Sequence, residues 1–328
     1  MNKKTRLRAK SPSDLLALGP YLLGFEPTES VVLVALHHGE SLGAARLDLR
    51  DIEVAPALAI QVWAQLSKPT PEAHVVMMGY GADAARVAGV LRTTAECIES
   101  AVGALMVDHV CLTDGRRWWS LTPEWDFDPR AGEPYDPTPP AVLQAVSSGL
   151  AVAGDRTDLA RSIQGPSRRE GRQFAAALRG RERAFKGLTE EAGRTMVLEL
   201  LMRALEAPAE LSDTDQAALV VLMQRIPLRD EAWLTQTRAS CEQHLVLWHH
   251  LVRRTPDTWA VPIVTLLGFA AWLTGHGALA NLACQRAMVL DPYYRMAGLL
   301  DSILLHGAHP ALWHQMPDIG GPDDDEGW

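Results

Sequence analysis

A proline-rich connector divides this sequence into two parts with different patterns. The segment 122–139 contains five prolines, and proline neither donates to a β-ladder nor fits the interior of a helix. Before the connector, strand-like and helix-like patterns alternate, whereas only helix-like patterns follow it. The sequence therefore predicts an α/β domain of residues 1–139, an all-α domain of residues 140–316 and an acidic disordered tail of residues 317–328.

Turn signals in the first part predict two β-hairpins. The turn at 38–41 separates two β-rich runs, and Asp114-Gly115 is a strong hairpin turn. Because helix patterns lie between strand patterns, we expect at least one parallel pair of strands. The predicted fold class is α+β or α/β, with an N-terminal mixed sheet, hairpins and flanking helices, followed by an all-α, tetratricopeptide-like domain. The strands are expected at 5–9, 31–37, 42–49, 73–78, 107–113 and 116–121, and the helices at 52–66, 82–102 and from Ser11 to Gly19-Pro20.

One pair of helix-like segments in the second part has the spacing of a tetratricopeptide unit. Gly268, Ala271 and Ala280 are small residues where the two helices of such a unit cross, and Asp291-Pro292 ends it. We expect this tetratricopeptide-like hairpin near 256–306. A single unit is not stable alone, so the preceding helices should complete its packing. The hairpin either only packs or also forms a binding groove. The helices of this part are expected at 141–149, 155–163, 167–186, 190–206, 213–225, 230–253, 257–274, 277–290 and 292–306.

Several strings spread over nearly the whole chain resemble one actinobacterial family, the domain of unknown function forty-one ninety-two. The resemblance implies this architecture and an actinobacterial host, but no activity. Many members carry adjacent cysteines in the connector, where this chain has Thr122 to Asp126, so no cysteine-based or metal-based role is expected there. The matching strings are Ser11-Pro12-Ser13-Asp14-Leu15, Tyr21-Leu22-Leu23-Gly24-Phe25, Glu29-Ser30-Val31-Val32, Arg46-Leu47-Asp48-Leu49, the segment 115–121, Gly132-Glu133-Pro134, Arg229-Asp230, Trp248, the segment 275–280 and Asp291-Pro292-Tyr293-Tyr294.

Charge and cysteine usage limit the classes of function. The net charge of −9 argues against general nucleic-acid binding, which requires a basic face. The four cysteines form no C-x-x-C pair and read as free thiols of a reducing compartment. No signal peptide and no membrane-spanning run is recognised, so we expect a cytoplasmic protein without membrane contact. No cofactor and no metal is expected.

Polar residues near the first hairpin form the candidate site of the first domain. Alternation along a strand places Arg46 and Asp48 on one face. They could form an ion pair, or a polar site with Asp14, Glu29 and Ser30 if the opening helix folds over this hairpin. An ordinary exposed strand face explains the same pattern. The second hairpin could contribute an arginine and an aromatic ring for stacking or anion binding. The full candidate set is Asp14, Ser30, Arg46, Asp48, Arg116 and Trp118.

Two further motifs have both a functional and a structural interpretation. The segment 79–84 fits G-x-G-x-x-A, which can hold a pyrophosphate, but a tight turn explains it better because Asp83 would face the phosphate. The segment 167–186 is rich in arginine and is either a nucleic-acid or acidic-partner face or a solvated surface helix.

Three functions remain compatible with the sequence. The main prediction is an adaptor or regulatory protein that binds a protein partner through its helical domain. The alternative is an enzyme or small-ligand binder that uses the polar site of the α/β domain. A weaker alternative is a nucleic-acid-associated protein that uses the basic helix 167–186, although nucleic acid is not the expected partner. No catalytic motif decides whether the protein is an enzyme.

Overall fold

A computed structural model of the chain divides into two units. The structure describes residues 9–313 except 69, 71, 104, 122–126, 148–151, 168, 170, 238, 306–307, 309 and 311–312. The predicted acidic tail, and residues 5–8 of the strand predicted at 5–9, lie outside the described residues. The first unit comprises residues up to 162 together with 276–278, and the second comprises 163–275 together with the residues from 279 onward.

A six-stranded mixed sheet forms the centre of the first unit. The strand order is β2-β1-β3-β4-β5-β6, and β3 pairs with β4 in parallel while the other neighbours are antiparallel. This sheet confirms the predicted N-terminal fold class, including the two hairpins and the parallel pair. Strand β6 is a short addition from the connector. The strands are β1 (Ser30–His37), β2 (Glu40–Asp48), β3 (His74–Tyr80), β4 (Val107–Thr113), β5 (Arg117–Ser120) and β6 (Glu133–Pro134).

Helices cover both faces of this sheet, and alternation along the strands supplies an apolar cluster on each face. Val31 and Leu33 of β1 face one cluster together with Leu91, whereas Val32 and Met78 face the other. The helix predicted at 52–66 is two helices, because Pro56 has no N–H and restricts the residue before it. The helices of this unit are α1 (Pro12–Leu23), α2 (Leu49–Val54), α3 (Ala57–Ser67), α4 (Ala84–Val102), α5 (Pro140–Ser147) and α6 (Arg156–Ser162).

Helix α1 continues past Gly19-Pro20, where the sequence predicted its end. Pro20 lies inside the helix and cannot donate to the carbonyl of Leu16. The buried Tyr80 hydroxyl replaces this donor and binds the Leu16 oxygen at 2.8 Å. Gly19 makes room for it, since a Cβ there would lie 2.0 Å from the Tyr80 oxygen. The prediction was wrong because a residue distant in sequence satisfies the helix at its proline.

The first unit also contains α5 and α6, which the sequence assigns to the second domain. Val142 and Ala145 of α5 are buried against Ala17 and Leu18 of α1. The compact unit therefore extends to residue 162, beyond the predicted boundary at residue 139.

The described part of the second unit is helical throughout. The helix predicted at 230–253 is two helices, because side-chain hydroxyls bind the backbone between them in place of helical hydrogen bonds. The Thr237 N–H donates to the Ser240 hydroxyl at 3.0 Å, and that hydroxyl donates to the Thr235 carbonyl at 2.8 Å. The helices are α7 (Gly171–Ala184), α8 (Glu190–Glu206), α9 (Asp213–Leu222), α10 (Ile226–Leu234), α11 (Cys241–Arg254), α12 (Asp257–Thr274), α13 (Gly277–Leu290) and α14 (Arg295–Leu305).

Helix α12 is the central helix of the second unit. Its length and hydropathy would allow it to cross a membrane, but 72% of the helix is buried inside the protein. A Cβ on Gly268 would lie 2.8 Å from Leu300 and 3.2 Å from Ala283, so this glycine permits the close approach of α13 and α14. The predicted helical hairpin at 257–290 is present, and its likeness to a tetratricopeptide unit stays a prediction.

Candidate functional site

Three of the predicted polar residues lie together at the β2–β1 edge of the sheet. Ser30 is paired with Asp48 on one side and with Tyr80 on the other, and Arg46 lies two residues before Asp48 on the same face. The Arg46 Nη2 donates to the Asp48 carboxylate at 2.7 Å and to the Thr28 carbonyl at 2.8 Å. This group is an arginine–carboxylate pair beside a buried hydroxyl.

Two polar atoms of this group lack a hydrogen-bond partner among the described residues. They are the Oγ of Ser30, a residue with no exposed surface, and the buried Nε of Arg46. A buried polar atom without a partner is costly. Both atoms can donate a proton, so a water molecule or a small acceptor would suit them.

The other three predicted residues lie elsewhere in the first unit. Asp14 serves the start of α1, where its carboxylate accepts from the Lys10 N–H at 2.8 Å. Trp118 belongs to β5, four strands from β2, which corresponds to roughly 19 Å at the usual strand spacing. Arg116 lies in the exposed turn before β5. The structure therefore brings together Ser30, Arg46 and Asp48, but not the full set.

A second polar cluster joins three distant segments and includes residues that the sequence prediction missed. Arg86 of α4 binds both oxygens of Glu53 at 2.8 and 2.9 Å through Nε and Nη2, and its Nη1 binds Glu29 at 2.8 Å. The hydrogen bond from Arg86 lowers the pKa of Glu53, and that bond also raises the pKa of Arg86. Glu53 therefore stays ionised at neutral pH and can accept hydrogen bonds but not act as a general acid.

Glu29 adopts an uncommon backbone conformation to reach this cluster. Its φ of 43° lies in the left-handed region, which costs a residue with a side chain about 1–2 kcal/mol. In return, its second carboxylate oxygen accepts the Ala82 N–H at 3.0 Å. The only sequence signals were Glu29 just before the buried strand β1 and Arg86 in the first turn of the helix that follows β3.

The same contact explains the glycine-containing segment at 79–84. The Glu29 carboxylate takes the Ala82 amide, and Asp83 caps α4 by accepting the Arg86 N–H at 3.1 Å. A Cβ on Gly79 would lie 2.3 Å from Val87, so this glycine serves the packing of α4 on the sheet. The protein's own carboxylates occupy the amides that a phosphate would need, which supports the tight-turn interpretation.

A shallow cavity of about 340 Å³, open to solvent, lies beside Glu53 and Arg86. Its walls are mainly apolar, and the ion pair forms its polar end. Gly89, in the second turn of α4, also lines the cavity, and a Cβ on it would meet nothing within 4 Å. Neither a turn nor close packing requires glycine at this position. The lining residues are Ile52, Glu53, Pro56, Arg86, Gly89, Val90 and Thr93.

The second unit exposes two apolar side chains at the end of its last hairpin. Val289 of α13 is 82% exposed, and Tyr293, in the turn before α14, is 92% exposed. The Asp291 carboxylate accepts the Tyr293 N–H at 3.0 Å and orders the turn that presents the ring. The sequence prediction identified the hairpin but not these side chains, because nothing in the local pattern marked them as exposed.

Comparison with known proteins adds a family but no activity. The model of a family described as a domain of unknown function (DUF4192) matches residues 12–311. No curated protein and no solved structure shows a significant match.

Proposed function

The chain belongs to the DUF4192 family of domains of unknown function, and we propose that it is an adaptor or regulatory protein that binds a partner protein through its helical unit. The exposure of Val289 and Tyr293 carries this proposal. Tyrosine is enriched among the residues that dominate protein interfaces, because it offers a large rigid surface with a polar end. The free thiols of Cys97, Cys111 and Cys284 fit a cytoplasmic location for such a protein.

The test is affinity capture from an extract of the native host, comparing the wild type with Val289→Ser/Tyr293→Ser. Replacing two anchoring side chains should reduce recovery of a specific partner by at least about tenfold. The matched control is Val54→Ser/Val102→Ser, which removes two exposed valines from the first unit. A partner that the control retains and the hairpin variant loses supports the proposal. Equal recovery by both variants, or no partner with the wild type, contradicts it.

Small-ligand binding in the first unit is the second candidate function, and Gly89 favours it. A glycine inside a helix lowers stability by about 0.5–1 kcal/mol relative to alanine. Here the missing side chain leaves space in a cavity beside an ion pair. The apolar walls and the ionised Glu53 suit a small molecule with an apolar body and a proton-donating end. An enzymatic role would need a group for chemistry beyond this binding cluster.

The cavity can be tested by filling it. A fragment library with amine-bearing members is screened by ligand-observed NMR against the wild type, Gly89→Leu and Gly89→Ala. Bound fragments should lose their signal change with Gly89→Leu, because the larger side chain occupies the cavity, and keep it with Gly89→Ala. Fragments that bind all three proteins equally, or none at all, would remove this candidate.

A further inference from the structure

Helix α7 carries a row of cations on its outer side. At 100° per residue, Arg172, Arg179 and Arg183 lie within about 40° of one another around the helix axis, and all three are exposed. Lys186 is also exposed and follows in the turn after the helix. We call these four residues the basic stripe. The three arginines span about 16 Å along the helix at 1.5 Å per residue.

The basic stripe has no acidic counterpart in the described part of the chain. None of its four side chains takes part in an ion pair or a hydrogen bond there. The single acidic residue of α7, Glu182, lies about 80° away around the helix. Three arginines on other helices of this unit are instead paired with a nearby acid, in the pairs Arg194–Glu190, Arg203–Asp215 and Arg254–Asp213.

The other faces of α7 limit the kinds of partner that fit. Phe174 and Leu178 form its apolar face and are buried, and the Arg254 guanidinium lies 4.9 Å from the Phe174 ring centre. The helix therefore has no free apolar face to insert into a membrane surface.

Residues beside the stripe on α7, such as Gln173 and Ala176, are small or polar. The half-buried Phe185, in the turn before Lys186, is covered by the Arg181 guanidinium at 5.9 Å. The helical part of the stripe therefore lacks the aromatic or aliphatic anchor of a protein interface.

We propose that the basic stripe is a contact surface for the phosphate backbone of a nucleic acid. Three of its four cations are arginines, whose planar guanidinium matches phosphate oxygens in a bidentate manner. A row of such groups on a rigid helix suits a ligand with regularly repeated phosphates. Without stacking aromatic residues on the stripe, the contact should not depend on base sequence. The negative charge of the whole chain should keep the affinity low. The contacts between the four cations and phosphates should make the affinity fall as salt rises.

The salt dependence of binding gives the test a number. Neutralising one phosphate contributes a slope of about −0.9 to log K against log salt on duplex DNA, so the four cations predict roughly −3.6. Affinity should then fall roughly 150-fold between about 50 and 200 mM salt. The variant Arg172→Gln/Arg179→Gln/Arg183→Gln retains one cation and should show a slope near about −0.9 and a fall of only about fourfold.

The assay is fluorescence anisotropy with a labelled DNA duplex, and an RNA duplex of the same sequence as a second probe. The control Arg117→Gln/Arg130→Gln/Arg253→Gln changes net charge equally at exposed positions outside the stripe and should keep the wild-type slope. Arg172→Lys/Arg179→Lys/Arg183→Lys should also keep most of the slope, because it preserves the charges. Circular dichroism checks that each variant is folded, as expected for exposed positions.

Several outcomes would overturn the proposal. The proposal is wrong if neither probe binds at about 50 mM salt, if the glutamine variant keeps the wild-type slope, or if the control variant loses as much of the slope as the glutamine variant. Polyglutamate that competes with DNA equally, charge for charge, would assign the stripe to acidic proteins instead. The result does not depend on Val289 and Tyr293, so this proposal and the partner-binding proposal can fail separately.

Discussion

The hydrogen bond between Tyr80 and the Leu16 carbonyl allows a sharp test of the first unit. Tyr80→Phe removes the donor, and Pro20 cannot replace it because proline has no N–H. The Leu16 oxygen then remains buried without a partner, which costs about 1–3 kcal/mol of unfolding free energy. Burial raises the pKa of Tyr80 well above its ordinary value, so the hydroxyl is a donor throughout the accessible pH range.

A second substitution isolates this bond from other effects of the lost hydroxyl. Pro20→Ala restores a backbone N–H that can donate to Leu16, as in any α-helix. In the wild type, Pro20→Ala should not stabilise Leu16 further, because Tyr80 already donates to it. The change should lower the unfolding free energy by about 0.4–1 kcal/mol, because alanine increases the entropy of the unfolded chain. In the Tyr80→Phe background the same change should recover about 1 kcal/mol. The double variant should therefore be more stable than the sum of the two single changes implies.

Native-state hydrogen exchange measured on peptides from β1 and β3 gives the unfolding free energy of this unit, independently of the helical unit. Tyr135→Phe is the control, since it removes the hydroxyl of a second tyrosine in this unit, one that is half-buried and whose pKa burial also raises. If Tyr80→Phe changes the free energy by less than about 0.5 kcal/mol, or if the two substitutions are additive, Tyr80 does not act as the substitute donor.

Three further predictions use other polar groups. Ser30→Ala should leave the urea-unfolding free energy unchanged or raise it by up to about 1 kcal/mol, because the buried Oγ has no described partner; a clear loss would reveal a bound water or ligand. Arg86→Gln should raise the pKa of Glu53 towards its ordinary value, measured by NMR titration of the carboxyl carbon; an unchanged pKa would contradict the role of the hydrogen bond. Burial lowers the pKa of His244 from 6.5 to about 4. As the pH drops, this histidine therefore takes up its proton in the unfolded state before it does so in the folded state. The unfolding free energy should fall by about 3 kcal/mol between pH 6.5 and about pH 4. His244→Phe should lack this part of the acid loss in urea unfolding, and an identical loss in both proteins would refute the assignment.

The sequence predicted the first unit well where local signals decide the structure. The Asp114-Gly115 turn and the alternating strands specify the hairpins, and the helices between strands specify the parallel pair. The prediction failed at Pro20 because the donor that compensates for the proline, Tyr80, lies sixty-four residues from the Leu16 acceptor in the chain. Local pattern rules cannot contain such a contact, so they end the helix where the helix itself lacks a donor.

The candidate site shows the same division between local and long-range information. Arg46 and Asp48 are two residues apart on one strand, so alternation alone predicts that they share a face. Arg86, Glu29 and Glu53 meet only because β1, α2 and α4 pack together, and no spacing in the sequence relates them. Their cluster became visible only when the three segments were placed in space.

The two binding surfaces proposed for the helical unit differ in the physical force that each would use. The Val289–Tyr293 surface is apolar, and binding through it should depend little on salt. The basic stripe is charged and exposed, and binding through it should weaken steeply as salt screens the charges. A partner captured through the hairpin should therefore remain bound at a salt concentration that releases nucleic acid. If one macromolecule were instead lost with both sets of substitutions, the two surfaces would form a single interface, and its salt dependence would be intermediate.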